Sequence, residues 1–314
     1  MARHIAHRLL ISLPVLLGVL LIGFLLLQVV PTDPATVSAG PTASKADVEA
    51  IRHQMGLDKP LWMQFGLYLG RVLQLDLGRS MISNRAVSEE IALTLGPTIE
   101  LMIASLIWAA PLGILLGSLA ARKHGTWIDR AIMAFSVMGV SVPIFWIGLL
   151  LIQHVGGAGW LPFQGRDGPI WTLAGLESII LPAITLGSVF IGPVARMTRT
   201  SMLETLAADY VRTARAKGIT EWRVTIHHGL RNALIPVVTL IGLQIGFLLG
   251  GSVVTETMFA WPGVGRMAVG AITSSDFPLA QGAILILAIG FLSVNLLVDV
   301  LYAWLDPRIG VSRS

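Results

Sequence analysis

The chain has 314 residues, 54% of them hydrophobic and only 13% charged, with a mean hydropathy of +0.76. A soluble domain carries about twice that charge, so the composition excludes a soluble globular protein and indicates a polytopic membrane protein. The net charge of +4 is small and gathered in connecting segments, which argues against a nucleic-acid surface, and the absence of cysteine excludes disulfides, thiolate metal sites and cysteine nucleophiles.

The first apolar run, LLISLPVLLGVLLIGFLLLQVV, covers residues 9–30. At about 1.5 Å per residue it reaches roughly 33 Å, enough to cross a bilayer and too long for the apolar core of a secretory signal. Residues 1–30 are therefore expected to form a retained N-terminal anchor helix. The segment 31–96 is too long for a connector and has helical grammar of its own. Ser44 with Asp47 makes a capping box, Gly56 ends that helix, and LWMQFGLYLGRVLQ after Pro60 repeats its apolar residues at helical spacing, with Trp62, Phe65 and Tyr68 expected near one another. A helix lying at the outer membrane surface follows. LGPT at 95–98 is expected to turn the chain into the second span. Residues 97–310 then form a five-helix core, with spans near 97–121, 130–155, 178–199, 233–256 and 281–304. Interior prolines (Pro14, Pro111, Pro143, Pro182, Pro193, Pro236) are compatible with membrane helices.

Lys/Arg bias sets the orientation. With the N-terminus inside, segments 1–8, 122–130, 196–232 and 305–314 hold two, three, seven and two basic residues. The short outside loops 156–177 and 257–280 hold one each, Arg166 and Arg266. The expected fold class is an all-α integral membrane protein with six transmembrane helices and both termini cytoplasmic.

The most basic of these segments, 196–232, is built as more than a topology signal. Tyr210–Lys217 reads as a helix, Gly218 interrupts it, and Thr220 can cap a second short helix from Glu221. Topology needs charge but not a helix–glycine–helix elbow. A docking surface for a cytoplasmic partner needs both.

At this point the sequence resembles a known family. ARAKG followed by LRNALIP is similar to the cytoplasmic-loop signature of binding-protein-dependent ABC importer permeases, in particular the dipeptide/oligopeptide/nickel branch. PTDPA at 31–35 resembles that branch's PGDPA, with Thr32 in place of the glycine. MGLDKPLWMQF at 55–65, LDLGRS at 75–80, SVPIFWIGLLL at 141–151, FAWPGVGR at 259–266 and LDPRI at 305–309 follow in the family's order. The wider superfamily has Glu-Ala-Ala before the glycine where this chain has Arg212-Thr213-Ala214, a departure usual for the peptide branch. The resemblance implies the type I ABC importer permease fold in a bacterial or archaeal cytoplasmic membrane. It also implies a second permease, two ATP-binding subunits and an extracytoplasmic substrate-binding protein as partners. ATP and Mg would be bound by the ATPase subunits, leaving no cofactor, metal or catalytic residue in this chain. Carried over by position, Ala214, Ala216, Lys217, Gly218, Thr220 and Glu221 become candidate ATPase-coupling residues, with Gly218 as the elbow.

Gly113 with Gly117, and Gly242, Gly246 and Gly250, form small-residue rows at spacing four that let helix backbones approach, within the chain or towards a second permease. In FAWPGVGR, Pro262-Gly263 makes a turn and Gly265 frees the backbone, while Phe259 and Trp261 suit the membrane interface. The residues alone leave an aromatic anchor and an outer gate equally open. The resemblance favours Phe259, Trp261, Pro262, Gly263, Gly265 and Arg266 as an outer gate or receptor contact.

Ionisable residues in the spans are few and near their ends: Glu100, His154, Glu256 and Asp299. An ion-driven secondary transporter predicts midplane carboxylates and an inverted repeat, and neither is found. His154 and the His227-His228 pair lack metal-site spacing, and G-x-x-x-x-G-K-[ST] is missing, so the energy source is placed in partner subunits. Alternating access for small peptides is the implied function, with nickel complexes, glutathione, opines and oligosaccharides as alternative cargoes of the same architecture.

Overall fold

A computed structural model describes residues 2–29, 33–40 and 42–305 of the chain. LDPRI from Asp306 on, Pro31 and Thr32 of PTDPA, and the side chain of Asp299 lie outside the described residues. The described residues are all helical apart from connections and a single bridge between Arg79 and Ala86. In chain order the helices are α1 (Ala2–Val29), α2 (Pro34–Ala39), α3 (Lys45–Gln54), α4 (Leu61–Leu73), α5 (Val87–Arg122), α6 (Trp127–Ser141), α7 (Ile144–Leu151), α8 (Leu173–Leu206), α9 (Asp209–Ala216), α10 (Glu221–Arg223), α11 (Arg231–Met258), α12 (Val264–Thr273) and α13 (Phe277–Leu305). Two π-helical segments, Ile152–Gly156 and Val224–Leu230, follow α7 and α10 without a break.

Among the described residues, four helices are long and apolar enough to cross a membrane: α5, α8, the continuous stretch Glu221–Met258, and Phe277–Val298 of α13. A fifth candidate is a bent pair, Trp127–Gly139 with Ile144–Gly156, and α1 contributes a shorter apolar stretch, Leu10–Leu25. The span expected over 130–155 is bent: its two halves turn by 98° across the break that holds Pro143. Proline disfavours helical backbone in the residue before it, and Val142 is accordingly extended with ψ at 125°. Pro111, Pro182, Pro193 and Pro236 sit inside unbroken helices. LGPT at 95–98 does not turn the chain either. Helix α5 starts ten residues before Pro97 and runs straight through it.

The chain divides into two compact units. One comprises, of the described residues, Ile99–Trp261 and 293–305. Its core is α8, with 72% of its most apolar window buried, against 28% for α5 and 28% for Glu221–Met258. Leu186, Phe190 and Val194 of α8 pack with Leu101, Ala109, Val237 and Leu248. The exposed apolar faces of α5 and α11 suit lipid or a partner helix. Glycine brings α5 against α8: a Cβ at Gly187 would stand 2.8 Å from the Trp108 ring, whose Nε1 donates to the Ala183 carbonyl at 3.0 Å.

The other unit comprises Ala2–Thr98 and Pro262–Leu292. The capping box of α3 forms as expected. Asp47 N donates to Ser44 Oγ at 3.3 Å, and Ser44 N donates to Asp47 Oδ2 at 3.0 Å. Phe65 and Tyr68 of α4 gather with Phe24 of α1, at centroid separations of 5.4 and 6.2 Å from Phe24, while Trp62 projects away and is exposed. Buried Asp276, just before α13, accepts from Ser80 Oγ at 2.5 Å and from Met81 N at 3.1 Å, fastening the turn after LDLGRS.

Candidate coupling site

The basic segment does not begin as a loop. Helix α8 carries it to Leu206, and after Ala207-Ala208 it folds back as a helical hairpin. The first leg is α9, with Asp209 in its first turn and Arg215 in its last, matching the helix dipole. Lys217 ends it and Gly218 turns the chain at φ +76°, a left-handed conformation that costs an L-residue about 1–2 kcal/mol and glycine little. A Cβ there would meet nothing within 4 Å, so glycine is needed for conformation and not for space. Thr220 occupies the N-cap position of α10 without a side-chain capping bond. The second leg is α10 and the π-helical Val224–Leu230, which leads directly into α11.

Three layers close the hairpin. In the middle, Val211, Ala214 and Val224 are buried together, with Leu206 and Ile219 against them. Towards the elbow, Arg215 Nε donates to Glu221 Oε1 at 2.8 Å; both groups are exposed, so the pair adds little stability. At the base, Tyr210 Oη donates to the His228 carbonyl at 3.2 Å, and Asn232 Nδ2 donates to that carbonyl at 3.2 Å and to Tyr210 Oη at 2.8 Å. The Arg122 guanidinium, at the end of α5, lies 5.5 Å from the Trp222 ring centroid, tying a second long helix to the hairpin.

Of the candidate coupling residues, Ala216, Lys217, Gly218, Thr220 and Glu221 are exposed at the elbow, whereas Ala214 faces inward. Trp222, 63% exposed beside them, was missed. An aromatic residue at the start of a basic helix was the available signal.

The other candidates lie elsewhere. Gly113 and Gly117 face α8: a Cβ at Gly113 would stand 2.8 Å from Val194 Cβ, and one at Gly117 would stand 2.6 Å from Thr198 Cβ and collide with the Ala195 carbonyl oxygen. A Cβ at Gly242 would stand 2.7 Å from Val298 Cγ1, Gly246 is buried, and a Cβ at Gly250 would meet nothing within 4 Å. Phe259 and Trp261 are wholly buried, and the Phe259 carbonyl accepts from Gly165 N at 2.8 Å. Gly263 and Gly265 are buried, while Pro262 and Arg266 are exposed. His154 is exposed in the first π segment, and no group of three or more potential metal ligands occurs among the described residues.

Sequence reasoning also missed two bidentate ion pairs. Arg199 of α8 reaches Asp129 of α6 through Nε–Oδ1 at 2.6 Å and Nη2–Oδ2 at 2.8 Å, and Gly125 N donates to Asp129 Oδ2 at 3.0 Å. Arg166 reaches Glu100 through Nε–Oε2 and Nη2–Oε1, both at 2.8 Å. The clue was a charged residue in or beside an apolar segment: Asp129 and Arg199 on helices, Glu100 within α5 and Arg166 in a connection.

Long apolar helices carrying one projecting, internally packed basic hairpin describe a membrane subunit that works with partners. The chain belongs to the family of binding-protein-dependent transport system inner membrane components, whose model matches residues 113–311; the family's N-terminal model matches residues 1–101. It is 46% identical over 310 residues to the glutathione transport system permease protein GsiC of Salmonella choleraesuis (strain SC-B67), covering 98% of this chain and 99% of that one. The GsiC protein of Escherichia coli (strain K12) is 45% identical over the same length and coverage. Among solved structures, an amino acid ABC transporter crystallised with histidines matches with a TM-score of 0.50 at 15% identity, over 69% of this chain and 94% of that one; this likeness speaks to fold alone. The chain is thus a multi-pass ABC importer permease of the peptide/nickel branch, a component that functions with a partner permease, an ATPase and a binding protein.

Proposed function

We propose that this permease forms half of an alternating-access pathway for small peptides delivered by an extracytoplasmic binding protein. Six spans would place both termini in the cytoplasm, α1 as the anchor of residues 1–30, residues 31–96 outside, and the hairpin of residues 196–232 inside. Glutathione, the cargo named for relatives at 45–46% identity, is itself a tripeptide, so it falls within this class. The elbow would seat in a cleft of an ATP-binding subunit, with Ala216 allowing close approach and Lys217, Glu221 and Trp222 offering charge and aromatic contacts. The observation that carries the reading is the hairpin itself. It has a packed interior yet leaves its elbow exposed, as a part that must bear force against another protein requires.

The test is purification of the tagged importer in mild detergent and reconstitution into liposomes, with radiolabelled glutathione as cargo. Expected are co-purifying ATPase subunits and a second permease, ATP-dependent uptake, and loss of uptake in Gly218→Pro at normal expression. Normal uptake by Gly218→Pro would remove the coupling assignment. Uptake driven by an ion gradient without ATP would remove the importer mechanism. Competition by unrelated dipeptides, nickel or oligosaccharides would redefine the cargo.

A further inference from the structure

From Glu221 to Met258 the chain is one continuous helix, except that Val224–Leu230 is π-coiled. A π turn accommodates more residues than an α turn. Returning it to α register by one residue would rotate everything on the elbow side by about 100° relative to α11. The register of this one turn therefore sets where the elbow points. Hydrogen bonding in a π-helix is less favourable than in an α-helix, so neighbours must hold it, and such segments recur at functional sites. Here a specific arrangement holds it. The His228 carbonyl lies inside the π segment, and with two lone pairs it can take two donors. Tyr210, on the opposite leg, and Asn232, in the first turn of α11, both donate to it, and Asn232 also donates to Tyr210. The three groups close a ring that spans α9, the π turn and α11. Two residues into α11 on one side and eight before the elbow glycine on the other, the ring belongs to neither the exposed elbow nor the apolar core.

We propose that Tyr210 and Asn232 are positioning residues for ATP-driven transport: their ring about the His228 carbonyl locks the π register of Val224–Leu230 and so fixes the angle between elbow and α11. This rests on the coupling role of the elbow argued above. Gly229 lets the turn lie close to the end of α8 on the other side, where a Cβ would stand 2.9 Å from Leu206 Cδ2.

The chain has no cysteine, so Arg212→Cys on the exposed side of α9 with Val238→Cys gives a spin-label pair across the turn that leaves the elbow residues untouched. The complete importer in nanodiscs would be measured with and without ATP, in backgrounds Tyr210→Phe, Asn232→Leu, the double variant and Gly218→Pro. Tyr210→Phe keeps the ring and loses only the hydroxyl. Expected are a single narrow label distance in the parent and a broadened one in both clasp variants, with ATP hydrolysis within about two-fold of the parent. Glutathione uptake per ATP should fall about five-fold, the scale of one lost net hydrogen bond. The double variant should be no worse than about either single, because both act through one carbonyl. Unchanged distances in the clasp variants, while Gly218→Pro disturbs ATP hydrolysis, would overturn the lock and leave the coupling role standing. An undisturbed Gly218→Pro would overturn both. Loss of ATPase subunits with an unchanged label distance would also overturn the lock, since it would mark a docking contact. If the parent does not take up glutathione, the label distance decides alone.

Discussion

Replacing Asp129 with alanine should be among the costliest single changes in the unit built on α8. Its carboxylate is enclosed, with 5% of the side chain exposed, and Arg199 is only 22% exposed. The perturbation removes two short charge-assisted hydrogen bonds and the acceptor of Gly125 N, and leaves a guanidinium enclosed without its counter-charge. Breaking a fully buried pair costs about 3–5 kcal/mol and an exposed one about 0–1. With a fifth of the arginine open, the lower end applies, about 3 kcal/mol. At about 2–4 °C per kcal/mol for a chain of this size, thermal inactivation of the purified importer should come roughly 6–12 °C earlier. Asp129→Ala with Arg199→Met removes both charges and should recover about 2 kcal/mol of the loss, because no unpaired ion remains. A shift under about 2 °C for Asp129→Ala, or a double variant as impaired as the sum of the singles, would refute the argument that the pair holds α6 to α8.

Gly117→Val should cost roughly 3 kcal/mol in the same thermal assay, because the new side chain meets the α8 backbone, which no rotamer change relieves, whereas Gly250→Leu should leave the chain's stability unchanged. Equal losses at the two glycines would contradict the packing described. Burial pushes the Tyr68 phenol up to about 12, against a smaller opposing pull from Arg71. Below pH 10 the phenol is protonated in both folded and unfolded chains. Between pH 10 and 12 only the unfolded chain ionises, so stability should fall by about 2 kcal/mol across that window and the fall should vanish in Tyr68→Phe. Parallel pH curves for the two proteins would refute it. His154→Ala should leave glutathione uptake unchanged, and a selective loss of nickel uptake would show that this exposed histidine handles metal.

What the sequence disclosed and what it hid divide along a physical line. Local rules read well: the Ser44–Asp47 capping box, the helix after Pro60 and the elbow at Gly218 each depend on a few adjacent residues. Proline was legible as a constraint but not as an outcome. Pro143 breaks its helix while Pro97 and Pro193 do not, an outcome that the residue type alone does not decide. The pairs Arg199–Asp129 and Arg166–Glu100 join residues 70 and 66 positions apart, a separation at which no spacing rule operates. Phe259 and Trp261 have the composition of an interface anchor, yet tertiary packing encloses them. The π turn was invisible because its sequence, VTIHHGL, has no signature distinct from an α-helix.

The close contact of Gly229 with Leu206 gives the helix Glu221–Met258 the proportions of a crowbar. From the elbow end to Gly229 is roughly 12 Å, and from Gly229 to the far end roughly 44 Å, at about 1.5 Å per residue. A rod rocking on that point magnifies displacement more than threefold. An ångström of movement at the elbow end becomes more than 3 Å at the far end, with force reduced in the same ratio. Such gearing favours a long, weak displacement at the Met258 end over a short, strong one.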